Sequence, residues 1–210
     1  NNNNNNNKMN EKTTTIQNEA KWKKSAVSVI RKRNIDEQRM LLPILMEEHR
    51  IMETIYYNDI VIICGETGSG KSTQVPQFLY ENGYSWPESA YPGLIGITEP
   101  RRVAAISVSE RVGVELDRPH HVSYQIRYDS QVSKDTHVKF MTDGILLREI
   151  QHNFLLPQYS AIILDEVKRA IFNHRNHNAN TNDTDIVSPL KLLIMSATLR
   201  VEDFTQNPKF

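Results

Sequence analysis

Eight consecutive residues, Gly65-Glu66-Thr67-Gly68-Ser69-Gly70-Lys71-Ser72, carry the strongest chemical signal in this sequence. They satisfy the spacing G-x-x-x-x-G-K-[ST], in which glycines let successive backbone N–H groups converge on the α- and β-phosphates of a nucleotide. Lys71 is then placed to bring a point charge to the β- and γ-phosphates, and the Ser72 hydroxyl to ligate Mg2+. Thr73 completes the loop residues expected to bind nucleotide. Magnesium needs further oxygen ligands, and Asp165-Glu166, which close the apolar run Ala161–Leu164, supply them. Asp165 is expected to hold Mg2+ directly or through water, and Glu166 to orient and deprotonate an attacking water. An acid pair at a strand end is common by itself; the phosphate loop upstream gives this one its meaning.

The loop works only between a strand and a helix, because the helix N-terminus adds its partial positive charge to the phosphate cradle. The sequence provides both: the apolar run Ile60–Cys64 precedes it and the helical stretch Lys71–Glu81 follows. Further apolar runs occur at Leu94–Thr98, Val122–Ile126, Val138–Met141, Ala161–Leu164 and Leu192–Met195. Helix-like stretches follow at Val103–Leu116 and Gly144–His152. Strands alternating with helices predict an α/β fold with a mostly parallel sheet and helices on both faces. The runs are nearly continuous in apolar residues, as strands buried on both sides should be. Apolar positions from Met40 to Ile55 recur near helical spacing, so 35–57 reads as an amphipathic helical lead-in, with Pro43 suited to a first helical turn.

Composition narrows the class. The chain has 210 residues, with 25 basic and 25 acidic side chains and one cysteine, Cys64. A lone cysteine excludes an intramolecular disulfide framework, and Cys64 in its apolar run reads as a small core residue. Ile60–Cys64, the longest apolar run, falls far short of the ~20 residues needed to span a bilayer, so no membrane partner is expected. Zero net charge gives no global reason to expect nucleic acid; that inference has to come from local residues. Residues 1–34 read as a disordered, Asn-rich and then basic tail, with a nuclear-import or RNA-tethering patch as the sharper alternative for its basic part.

With these motifs in place, the chain resembles the first RecA-like, ATP-binding domain of a DEAH-box RNA helicase. The likeness runs from about Leu42 to Phe210 through GETGSGKSTQVPQFLYE, Thr98–Ala105, Thr142–Leu147 and Ser196-Ala197-Thr198. Strings at 123–128, 139–144 and 191–206 are most similar to the nucleolar members, which act on small-subunit ribosome precursors. The resemblance implies an RNA helicase that uses ATP and Mg2+, at work in the nucleus and nucleolus. It implies RNA as partner, pre-rRNA or small nucleolar RNA, and a possible activating protein. It also implies that Arg101, Arg102, Thr142 and Asp143 contact RNA phosphates, which position the strand without reading bases. Arg111 matches the arginine that stacks on adenine, and Ser196 and Thr198 the residues that sense nucleotide state. Taken alone, Arg101-Arg102 after a proline also suits a solvated helix start, and Thr142-Asp143-Gly144 a turn and helix cap. As in P-loop ATPases generally, the acid strand is expected to lie beside the phosphate-loop strand and so bring its acid to the metal.

The sequence departs from that family twice in succession. Where the family carries Asp-Glu-Ala-His, this chain reads Asp165-Glu166-Val167-Lys168. Lys168 is cationic and has no neutral acceptor form, so coupling to a second domain is expected to change while nucleotide binding persists. Residues 171–188 are polar and Asn-rich where the family has an amphipathic helix, which predicts sheet surface left exposed. The domain organisation expected is a tail over 1–34, the lead-in over 35–57 and the ATP-binding domain over 58–210, without a second RecA-like domain. The chain therefore reads as a fragment that hydrolyses ATP very slowly by itself. Two other functions stay open: a catalytically impaired nucleotide- or RNA-binding remnant, and a P-loop ATPase acting on DNA.

Overall fold

The computed structural model describes residues 26–166 and 190–197. The chain enters through α1 (Arg33–Met40), a 3-10 turn at Pro43–Glu47 and α2 (Glu48–Tyr57). It continues through β1 (Ile60–Cys64), α3 (Lys71–Glu81), β2 (Leu94–Glu99) and α4 (Arg102–Glu115). A second 3-10 turn (Pro119–His121) leads to β3 (Val122–Ile126), β4 (Asp129–Ser130), β5 (Val138–Thr142) and α5 (Asp143–His152). β6 (Tyr159–Asp165) and β7 (Lys191–Ser196) complete the sheet.

The seven strands lie in the order β1-β7-β6-β2-β5-β3-β4, parallel throughout except for the short β3–β4 pair. The fold class expected from the sequence is present. One adjacency differs: β7 sits between β1 and β6, so the acid strand is not beside the phosphate-loop strand. Inserting β7 leaves the catalytic candidates at a common edge, because all three strands run the same way and end together.

Alternation along the central strands sorts their side chains onto two faces. Ile95, Ile97, Ala161 and Ile163 join Val75, Phe78, Leu79, Ala105 and Val112 of α3 and α4 in the larger core cluster. Met52 and Ile55 of α2 complete that side. Ile162, Leu164, Met141 and Ile194 point the other way, against Ile145 and Leu146 of α5. Helices thus cover both faces, and β6 is buried along its whole length.

β1 departs from that pattern. It pairs only with β7 among the described residues, and its burial alternates. Ile60 is 53% and Ile62 37% exposed, and Cys64 is exposed too, so the expectation that Cys64 is a core residue is corrected. An edge strand covered on one side only leaves every second residue facing out. The expected Asn-rich segment, 171–188, lies outside the described residues.

The lead-in is interrupted, not one helix. Pro43 opens the 3-10 turn, as its fixed φ and missing N–H favour, and so separates α1 from α2. The expected tail is described only from residue 26, and this part is packed. Val27 N–H donates to Glu81 O at 2.8 Å, and Arg31 forms an ion pair with Glu81, its side chain 5% exposed. The sequence signal missed was the acceptor: Glu81 ends α3 and gives a basic residue something to bind.

Candidate functional site

The phosphate-loop sequence forms the turn between β1 and α3 that its spacing demands. Gly70 caps α3 at φ +97°, a left-handed conformation that favours glycine. A Cβ there would lie 3.1 Å from Leu42 Cδ1 and 3.2 Å from Ile44 Cγ2, so the lead-in packs directly on the loop. Ile44 N–H also donates to Ser69 O at 3.2 Å, and Gly65 N–H to Ser196 O at 3.3 Å. The loop is therefore held from both sides, by the lead-in and by the end of β7.

Lys71 is buried with its ammonium curled into the loop. Its Nζ donates to Gly65 O at 2.6 Å and Glu66 O at 2.9 Å, with Ser69 Oγ at 3.4 Å. Backbone carbonyls are neutral acceptors, so a phosphate oxygen, being charged, competes well for these donors.

Asp165 and Glu166 stand at the end of β6. Asp165 is buried; its Oδ1 accepts the Glu166 N–H at 2.9 Å, whereas Oδ2 is buried without any partner. Burial raises the Asp165 pKa, against the Ser72 hydroxyl and the Glu166 N–H, which lower it. Glu166 adopts φ +50°, a conformation non-glycine residues hold only when the surroundings impose it. The two motifs meet in one cavity of about 200 Å³, lined among others by Lys71, Ser72, Arg111, Asp165, Glu166 and Ala197. Its donor set is hard oxygen, with one carboxylate oxygen lacking a partner, and this fits magnesium, which takes few protein ligands and keeps phosphate and water for the rest.

The other predicted positions lie along the same edge. Glu99 of β2 pairs with Thr142 of β5, so Arg101 and Arg102 follow one strand end while Thr142 and Asp143 occupy the next. Arg101 and Arg102 are exposed, and Arg102 donates to Arg127 O at 3.4 Å. Thr142 caps α5 without a side-chain bond, which leaves its hydroxyl available. Ser196 is buried at the end of β7. Thr198 and Lys168 lie outside the described residues. Parallel sheets place ligand sites outside the carboxyl ends of their strands, and here the edge has two parts: the phosphate loop and acid pair toward β1, β7 and β6, and the arginines and Thr142 toward β2 and β5.

Two features escaped sequence reasoning. Glu99 is 5% exposed, and its Oε1 has no partner. Burial, then the charges of Asp165, Glu166 and Asp143, push its pKa up to about 8. Nothing in a strand-ending Thr-Glu-Pro announces such a carboxyl. The second is Leu42, which lines the cavity from the lead-in. Among the described residues no cluster of three or more His, Cys, Asp or Glu side chains is arranged as a metal site, and no helix is long and apolar enough to cross a membrane.

Comparison with known proteins gives a consistent answer. The DEAD/DEAH box helicase family profile matches residues 37–206. The probable ATP-dependent RNA helicase DHR1 of Saccharomyces cerevisiae is 52% identical over 205 residues, covering 86% of this chain and 15% of the relative. The probable ATP-dependent RNA helicase DHX37 of Homo sapiens is 52% identical over 189 residues, 87% of this chain and 16% of the relative. The ATP-dependent RNA helicase DEAH13 of Arabidopsis thaliana is 43% identical over 210 residues, 87% of this chain and 17% of the relative. The chain thus spans about a sixth of the length of the curated relatives it matches.

Proposed function

Because this chain belongs to the DEAD/DEAH box helicase family, we propose that it is the ATP-binding domain of an RNA helicase, which binds and hydrolyses ATP to remodel RNA. The observation that carries this reading is the single cavity shared by Lys71, Ser72, Asp165 and Glu166. In it the triphosphate lies over the loop, with backbone N–H groups of residues 66–73 donating to its oxygens. Lys71 exchanges its two carbonyl acceptors for β- and γ-phosphate oxygens. Ser72 and Asp165 would hold magnesium, which neutralises phosphate charge when bound. Glu166 orients a water in line with the γ-phosphorus and takes its proton; the water oxygen forms the new P–O bond, and the bond to the bridging oxygen breaks, giving ADP and phosphate.

Arg101, Arg102, Thr142 and Asp143 are proposed to hold RNA phosphates, the first two by charge and the others by hydroxyl and backbone N–H. Ser196, whose carbonyl already accepts from Gly65, and Thr198 would report nucleotide state to the RNA side. Lys168 would modify that coupling. The domain boundaries proposed are a lead-in over 35–57 and the ATP-binding domain over 58–210, with a second RecA-like domain needed to supply transition-state charge. By likeness to DHR1 and DHX37, we place the parent protein in pre-rRNA processing in the nucleolus, with pre-rRNA or small nucleolar RNA as partner and a protein activator.

The test is Mg-ATP affinity of the 210-residue chain. Lys71→Ala is expected to weaken it at least about ten-fold, since one charged hydrogen bond contributes ~1.5–3 kcal/mol. Glu166→Gln should bind like wild type. Unchanged affinity in Lys71→Ala would refute the reading. The departure at Lys168 favours one rival, an impaired nucleotide-binding remnant; ATP affinity without RNA-stimulated hydrolysis in the longer protein would select it.

A further inference from the structure

Arg111 is half-exposed at the nucleotide cavity, yet it is not free. Its Nε donates at 2.9 Å to Glu115 Oε1, one turn further along α4. An exposed arginine paired with an exposed glutamate would contribute little. Here the carboxylate is buried, its side chain 9% exposed. Its second oxygen, Oε2, accepts from Gln74 Nε2 at 2.9 Å and from Gln77 Nε2 at 2.6 Å. Both glutamines are fully buried on α3, three residues apart and hence on one face.

Each amide is fixed at its other end. Gln74 Oε1 accepts from Arg39 Nε of α1 at 2.6 Å, and Gln77 Oε1 accepts from Arg31 at 2.9 Å. With each amide oxygen engaged by a guanidinium, both NH2 groups must face Glu115, so the network admits one hydrogen-bonding arrangement. Burial pushes the Glu115 pKa upward, but the bonds from Arg111, Gln74 and Gln77 outweigh it and hold the carboxyl below its usual range.

Arg111 also occupies a particular place. Together with Leu42 it forms the wall shared by the nucleotide cavity and a neighbouring groove of about 540 Å³, which Gln38, Arg39, Glu110 and Glu115 also line. A planar guanidinium stacks on a nucleobase only when its orientation is set, and a free arginine loses rotamer entropy on docking. We infer that Glu115 is a positioning residue, which fixes Arg111 at this wall so that its face is presented to the base of the bound nucleotide. The inference rests on the proposed nucleotide reading and deepens it: through Gln74, Gln77, Arg39 and Arg31, the segment before the domain sets the geometry of the base subsite. Glu115→Gln breaks the pattern, because a carboxamide must point its NH2 either at Arg111 or at the two glutamine donors. Glu115→Asp keeps the charge but draws it back from its partners.

The experiment compares Mg-ATP with inorganic tripolyphosphate, which has the phosphates and no base, on the 210-residue chain. Wild type should bind ATP more tightly, and Arg111→Ala should close that gap. Glu115→Gln and Glu115→Asp should weaken ATP roughly three- to ten-fold, the range of one stacking cation, with tripolyphosphate affinity unchanged. Thermal unfolding identifies which variants are folded, and Glu115→Asp stands in if the glutamine variant is not. If Arg111→Ala closes the gap and the folded Glu115 variants leave it intact, the positioning role is wrong while the nucleotide reading survives. Equal weakening of both ligands also overturns it, because that marks a deformed loop. If wild type binds neither ligand, the nucleotide reading falls and the inference with it.

Discussion

Replacing Glu99 by glutamine tests the electrostatics of the strand edge. Glu99 is buried beside Asp165, Glu166 and Asp143, and its carboxyl titrates at about 8 in place of the ordinary 4.5. The folded chain therefore keeps this proton up to about pH 8, whereas the unfolded chain releases it near 4.5. Between those values the unfolded state binds fewer protons, so stability falls as pH rises, and it levels off above about 8. At ~1.4 kcal/mol per pH unit the full interval amounts to at most ~5 kcal/mol, and solvent screening at the strand ends reduces it to about 2–3 kcal/mol. Glutamine has the shape of the protonated acid and cannot ionise. In thermal unfolding with chelator present, wild type and Glu99→Gln should nearly coincide at about pH 5 and diverge by roughly 5–10 °C at about pH 9, with the variant higher. The other carboxyls titrate in both proteins and cancel in the difference. Curves that stay parallel across this range would refute the burial-and-repulsion argument.

Two glycines should separate function from stability. Gly70→Ala places a Cβ at φ +97° against Leu42, Ile44 and Gln74, which should cost about 1–3 kcal/mol in urea unfolding and weaken Mg-ATP binding as well. Gly96→Ala drives a methyl to 2.7–2.9 Å from Ile162 Cδ1, Tyr159 Cε1 and Met141 Cε, a similar loss of about 1–3 kcal/mol. Gly96 lies mid-strand on the face that α5 covers, so nucleotide affinity at fixed folded fraction should stay unchanged.

The spatial order of the edge suggests how the two halves of the proposed activity communicate. The phosphate loop, the end of β7, the acid pair, the Arg101-Arg102 turn and the Thr142 cap follow one another across five adjacent strand ends. β7 joins the first two through the Gly65–Ser196 bond. Glu99 stands between the acids and the arginines, so charge added at one part of the edge is felt at the other.

The loop, the acid pair and the α/β class were legible in the sequence because each is local. A glycine loop needs only its own spacing, and a strand buried on both faces is marked by continuous apolar residues. Ile60–Cys64, Lys71–Glu81 and Val122–Ile126 have the same bounds in the structure as in the sequence. What the tertiary structure decided depends on residues far apart in the chain. The insertion of β7 between β1 and β6 follows from how strands 30 or more residues apart find their register, and no local pattern encodes it. Cys64 sits in an apolar run, yet is exposed because alternate residues of β1 face a side that no described residue covers. Gln74 and Gln77 read as polar interruptions of a helix until Arg31 and Arg39, before the domain, and Glu115, at the end of α4, surround them. Glu99 carries its proton because the fold buries it and brings the carboxylates at the end of β6 and the start of α5 beside it. Burial and long-range Coulomb terms are properties of the assembled edge, and the sequence holds them only through the fold.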